Sequence, residues 1–341
     1  TNLVGAVVPG YSRGLLRYPS WLGYWPAFLL YGAFVWLELF VKMTPALLAW
    51  HLIGYTVFNV VMAGLLGPKS WFRYGEFFSV VLGLVAKIAP IGFAHENGGE
   101  PSRQFYWRWP CAGLLQSPVV HGSLLMVILF MLAATAFDGL HESKAWTSLY
   151  WQWLYPEFLA HYVGNNLIFA YAQLREWNQW WQRGWLMLAP FVYLLVYLLG
   201  VKLMALLVGA KTWPLAKRFA YSLLPIVLVY HITHYYTLIQ SHGVKVIALV
   251  SDPFGFGWDL FGTAEWFKYN IVPDVKTVWH VQVGLIVLGH VVAVYVAHLE
   301  ALRAFKSRRA ATISQLPMMG LMVAFTIFGL WILSQPMQVG R

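Results

Sequence analysis

The run Phe219-Ala220-Tyr221-Ser222-Leu223-Leu224-Pro225-Ile226-Val227-Leu228-Val229-Tyr230-His231-Ile232-Thr233-His234-Tyr235-Tyr236-Thr237-Leu238-Ile239 decides the fold. It is long and apolar enough to cross a bilayer, which takes about 20 residues. A second such run, Trp279–Leu302, opens with His280 and carries His290 and His298. Between them, residues 240–278 form a Gly- and Trp-rich loop containing Ser251-Asp252-Pro253 and Gly257-Trp258-Asp259-Leu260-Phe261-Gly262-Thr263. Lys217 and Arg218 precede the first run, and Arg303, Lys306, Arg308 and Arg309 follow the second. Basic residues collect on the cytoplasmic side of membrane helices. The loop, with His231, His234 and His280, is then expected on the opposite face.

The rest of the chain agrees with that reading. Of 341 residues, 60% are hydrophobic and only 11% charged, against about 25% charged in a soluble domain. The fold class is therefore all-α: one polytopic integral membrane domain over residues 1–341, with 1–20 as a lead-in. The net charge of +10 reflects Lys and Arg at helix ends and does not argue for a nucleic-acid partner. Nineteen Trp and nineteen Tyr suit an interfacial aromatic belt. A single cysteine, Cys111, rules out an internal disulfide and a thiolate cluster. The first residue is Thr, and a processed or preceding N-terminal part is expected.

Taken along the chain, the length rule gives about nine spans. They are Trp21–Val41, Pro45–Leu66, Gly75–Phe93, Val119–Phe137, Phe158–Leu174, Trp185–Ala210, Phe219–Ile239, Trp279–Leu302 and Leu316–Leu333. The segment Phe158–Leu174 is the ambiguous one. If it spans, Arg13, Arg17, Lys69, Arg73, Lys211, Lys217 and Arg218 share one side. If it lies flat, in an eight-span protein, they do not. Charge bias favours nine spans, a cytoplasmic N-terminus and a periplasmic C-terminus, in a bacterial inner membrane. In this topology Asp138 and His141 fall at the inner end of the fourth helix.

Ionisable groups inside a bilayer are costly and ask for a partner or a function. His231 and His234 are three apart and share a helix face. With His280 at the same depth they suggest a metal site, for which imidazole suits zinc or copper. His242, Asp252, Asp259 and Glu265 lie in the loop and can complete the ligands or act as catalytic bases. The bland alternative is interfacial His and Tyr bonding to headgroups. A second pattern competes: His280 and His298 lie about five helical turns apart on one face, with His290 between them. Such histidines are candidate cofactor ligands, and imidazole is an axial ligand of haem b. Glu38 is a candidate partner for the histidines, or pairs with Lys42 at i+4. There is no Walker A loop, dinucleotide fingerprint, Gly-x-Ser-x-Gly elbow or His-Glu-x-x-His. Any hydrolysis would then rest on metal-activated water.

Several stretches carry a resemblance: Gly75–Leu84, Thr135–Gly139, Ser222–Tyr230, the Ser251–Ala264 loop and Trp279–Leu302. Across about Tyr18 to Gln335 the chain resembles bacterial multi-pass membrane proteins often labelled fenitrothion hydrolase. The label implies hydrolysis of an organophosphate-type ester but brings no catalytic residues with it, and family does not establish function. Three expectations stand. One is a metal-dependent membrane hydrolase. Another is a redox or accessory subunit of a larger respiratory-type complex, binding haem, copper or quinone beside a cytochrome or other subunits. The third is a structural subunit packing on partner helices and lipid.

Overall fold

The computed structural model describes residues 5, 10–95, 101–116, 119–163, 166–267 and 274–335. It is an all-α polytopic bundle. Six helices among the described residues are long and apolar enough to cross a membrane. In chain order the helices are α1 (Trp25–Phe40), α2 (Pro45–Leu66), α3 (Phe77–Ala86) and α4 (Gly122–His141). They continue with α5 (Leu167–Val208), α6 (Thr212–His234), α7 (Val275–Ala304) and α8 (Arg308–Ser334). The expected nine spans are thus too many, and each reduction has a local cause. Proline at the start of α1 shortens it to 16 residues. The expected Gly75–Phe93 span holds only the 10-residue α3. Glu76 starts α3, its carboxylate accepting the N–H groups of Phe78 and Ser79 at 2.9 and 2.6 Å. After α3 the chain forms an antiparallel strand pair, Ile91–His95 with Pro101–Trp107, whose first strand takes up the end of the expected span.

The expected Phe158–Leu174 span is broken. A wide-turn segment, Leu149–Leu159, carries Pro156 inside it. A new helix begins at Asn166, whose side chain accepts the Ile168 N–H at 3.1 Å. That helix is α5, 42 residues long, or about 63 Å at 1.5 Å per residue. Its polar first part, with Arg175, Glu176 and Arg183, precedes the apolar stretch expected from Trp185 onward.

α3 returns to the end from which it came. The lead-in pairs with the close of α2, Leu16 N–H to the Leu65 carbonyl at 2.7 Å. Tyr74 packs on Tyr24 and His121, with ring centroids 5.1 and 5.9 Å apart. Lys87, just past α3, lies 5.1 Å over the ring of Tyr221, three residues beyond the Arg218 that pairs with Glu300. The apex is Glu76, which takes the Tyr55 hydroxyl from the middle of α2. α3 is therefore the second limb of a hairpin dipping into the bundle. As a consequence α1, α4 and α6 all start at one end. Tyr24 N–H meets Ser123 Oγ at 2.8 Å, and Lys217 Nζ meets the Val120 carbonyl at 3.4 Å. Arg218 pairs with Glu300 there. Asp138 and His234 consequently share the other end. This corrects the topology read from sequence, which set them on opposite faces.

α4 is hydrophobic on all sides and is the buried hub, with side chains from Ser123 to Phe137 enclosed. α6 packs between α4 and α7. At Gly289 of α7 a Cβ would stand 2.2 Å from a Val229 methyl, so this crossing is close because glycine is there. α2 is the opposite case: only Asn59 and Ala63 are buried. Asn59 Oδ1 accepts the Trp71 indole N–H at 2.8 Å, tying α2 to the hairpin. Away from that tie α2 stands off from α1 and leaves a lateral cleft.

Candidate functional site

Three helices deliver polar side chains to one end of the bundle. α4 brings Thr135 and Asp138, α6 brings His231, His234 and its capping residue Tyr235, and α1 brings Tyr31 and Glu38. His234 Nε2–H donates to Asp138 Oδ2 at 2.6 Å, with both side chains more than four-fifths buried. The Tyr235 hydroxyl donates to Glu38 Oε1 at 2.7 Å. His231 is fixed differently. Its Nδ1–H donates to the Val227 carbonyl at 2.8 Å. That leaves Nε2 as the acceptor of the neutral ring, facing Thr135 Oγ1 at 3.1 Å and the Tyr31 hydroxyl at 3.4 Å. Two carboxylates, two imidazoles and three hydroxyls thus form three small hydrogen-bonded networks at one end of the bundle. Buried networks of this kind gain from a low local dielectric only while every member is satisfied.

The cluster borders a cavity of about 270 Å³, whose walls include Tyr31, Glu38, Thr135, Asp138, His231 and Tyr235. Beside it lies the cleft between α1 and α2, about 930 Å³. Its walls are aromatic and aliphatic, with Trp50, Tyr55 and Phe58 on the α2 side. Phe34, Glu38, Phe77 and Phe78 line both spaces. Glu38 is thus the polar group that the cleft and the cluster have in common.

Of the residues singled out in the sequence, His231 and His234 lie in this cluster, and Glu38 joins them through Tyr235. His280 does not. It is exposed on α7, its Nδ1–H on the Lys276 carbonyl at 2.6 Å. No three His, Cys, Asp or Glu side chains among the described residues stand close enough to share a metal ion. The expected His231–His234–His280 ligand trio is therefore not assembled. His298 Nδ1 meets Gln315 Oε1 at 2.9 Å. His290 is buried against a cavity of about 20 Å³, room for a water-sized ligand. Glu265 is exposed.

Asp252 and Asp259 hold their own loop together. Asp252 accepts the N–H groups of Phe256 and Gly257 at 2.9 and 2.8 Å. Asp259 accepts the Ala264 N–H at 3.0 Å and the Ser251 hydroxyl at 2.9 Å. These are turn-forming roles, for which short acidic side chains suit. The Ala264 N–H, then the Ser251 hydroxyl, hold the Asp259 carboxyl below its ordinary range. A carboxyl depressed in the folded state stabilises it above the unfolded pKa, about 3.9, and the effect fades as pH falls through the folded value. Amide exchange across 251–264 is thus expected to stay slow at pH about 4 and to accelerate only in stronger acid. Asp259→Asn should remove that acid step; an unchanged exchange profile would contradict the role.

The residues that sequence reasoning passed over are Asp138 as a partner of His234, and Tyr31, Thr135 and Tyr235. The fold and site define a polytopic helical protein with a buried acid–base cluster opening towards a lateral cleft. No protein-family model, curated protein or solved structure matches the chain.

Proposed function

We propose that the chain is an accessory subunit of a bacterial inner-membrane redox complex that binds a lipid-soluble molecule with a protic head, of the quinol class. The observation that carries this reading is the sharing of Phe34, Glu38, Phe77 and Phe78 between the aromatic cleft and the polar cavity. A ligand arriving from lipid would lay its apolar body against Trp50, Phe58 and the two phenylalanines of α3. Its hydroxyl head would meet Glu38, Asp138 and the Nε2 of His231, in exchange with the Thr135 and Tyr31 hydroxyls that face that atom. These groups accept hydrogen bonds, and the carboxylates and imidazoles can take a proton. The electrons of any oxidation pass to a partner subunit, since the residues of the cluster provide acid–base chemistry alone.

The charge pattern sets the orientation of this reading. Arg13, Arg17, Lys69, Arg73, Lys211, Lys217, Arg218, Arg303, Lys306, Arg308 and Arg309 belong to segments at the end where α1, α4 and α6 begin. Lys and Arg of this density favour the cytoplasmic side. The cluster then lies in the periplasmic half. With α1 counted as a crossing beside the six longer helices, the N-terminus is cytoplasmic and the C-terminus periplasmic. The Asp138–His234 pair also supports a second reading, a general base acting on a lipophilic ester, in line with the hydrolase resemblance.

Titration of the nanodisc-embedded protein with a short-chain quinol analogue, followed by quenching of Trp50, separates the two. Saturable quenching without ester turnover is expected. Glu38→Gln keeps the Tyr235 contact and removes the charge. A hydrogen bond to a charged group is worth about 1.5–3 kcal/mol, so affinity should fall by about tenfold or more. Linear, unsaturable quenching, or equal affinity in Glu38→Gln, would sink the quinol reading, and ester turnover lost in His234→Ala would favour the other.

A further inference from the structure

A second polar site lies deeper in the bundle, and the cluster above does not use it. His290 on α7 is only 9% exposed. Its Nδ1–H donates to the Ile286 carbonyl at 2.8 Å. The neutral ring therefore carries its lone pair on Nε2. That atom is buried and has no hydrogen-bond partner in the protein. A buried acceptor left unpaired has lost its hydration with nothing to replace it. His290 stands in the wall of the cavity of about 20 Å³, together with Tyr193 of α5, Tyr230 of α6, Ala136 of α4 and Gly329 of α8. A water needs about 10–15 Å³ of such space and 2–4 polar partners. The space fits, and an imidazole and two tyrosines supply the chemistry.

We infer that this cavity is a bound-water site anchored on His290 Nε2, with the Tyr193 and Tyr230 hydroxyls as its other partners. The water satisfies the imidazole that the protein alone leaves unpaired. It also gives the site a neighbour: the Tyr230 hydroxyl is within Coulombic reach of both Tyr193 and the Asp138 carboxylate. A hydrated His290 therefore places a water in the core among α5, α6, α7 and α8. The water site does not depend on which molecule enters the cleft, because it rests only on His290 and its cavity.

X-ray radiolytic footprinting of the full chain in nanodiscs, in isotopically labelled water, reads bound internal water through oxidation of the side chains beside it. Tyr197 is the internal control. It is fully buried, and its hydroxyl is committed to the Ala216 carbonyl at 2.8 Å. Tyr193 and Tyr230 are expected to label several-fold faster than Tyr197, and His290→Phe should abolish the difference. Labelling no faster than Tyr197, or unchanged in His290→Phe, overturns the site. If His290→Phe does not fold, Ala136→Val narrows the cavity from the facing wall and leaves the imidazole in place. Loss of the excess labelling there supports the water, and its persistence overturns it.

Discussion

Asp138→Ala is expected to destabilise the folded chain by about 3–5 kcal/mol, the cost of breaking a buried charge pair by removing one partner. His234 donates to Asp138 at 2.6 Å from a largely buried position. Alanine leaves that imidazole without its acceptor in a medium that solvates it poorly. Asp138→Asn should cost less, because the amide oxygen can still accept the Nε2–H. The informative variant is Asp138→Leu combined with His234→Leu. Replacing both members of a buried pair by apolar groups is often neutral or stabilising. The double variant should therefore be more stable than the sum of its single variants predicts, by about 0.5–3 kcal/mol. Thermal unfolding followed by intrinsic tryptophan emission measures each of these forms. A stable double variant that no longer binds the quinol analogue would show that the pair is kept for chemistry rather than for folding. Simple additivity across the cycle would mean that the two side chains do not act as a pair.

The histidine half of this pair was legible in the sequence, and the acidic half was not. His231 and His234 announce themselves by their three-residue spacing on an apolar helix. Asp138 lies 96 residues away in the chain, and only the direction of α4 decides whether it can meet them. That direction depends on α3. Ten apolar residues from Phe77 look like the first half of a span, but Glu76 caps their start and Pro90 follows soon after. The stretch between is too short for a bilayer that needs about 20 residues. The Phe158–Leu174 stretch misleads in the same manner, because the wide-turn segment carrying Pro156 runs into its start and the capping Asn166 interrupts it. With α1 counted beside the six longer helices, one expected crossing is lost on each side of α4, and α4 alone runs opposite to the direction expected from the sequence. The aspartates of the Ser251–Ala264 loop are also explained locally. Gly255, Gly257 and Gly262 adopt positive φ, and the turns they make direct N–H groups at carboxylates that sequence alone offered as bases.

Gly54→Trp is expected to abolish ligand entry while leaving the acid–base cluster and the fold intact. Gly54 lies on the α2 wall of the cleft. A Cβ built there meets no atom within 4 Å. The indole can therefore enter the cleft without displacing backbone, and a mid-helix glycine is itself unfavourable by about 0.5–1 kcal/mol relative to alanine. Stability should stay level or rise slightly, in contrast to Asp138→Ala. Affinity for the quinol analogue should fall by about a hundredfold, since about 2.8 kcal/mol of apolar contact is lost when an aromatic body is shut out. Two variants then separate route from chemistry. Gly54→Trp removes access and keeps Glu38, Asp138 and His234, whereas Glu38→Gln keeps access and removes one charge. If Gly54→Trp binds the analogue as tightly as the wild-type chain does, the cleft between α1 and α2 is not the way in. The cluster would then have to be reached from the aqueous end of the bundle, between Tyr235 and Glu38.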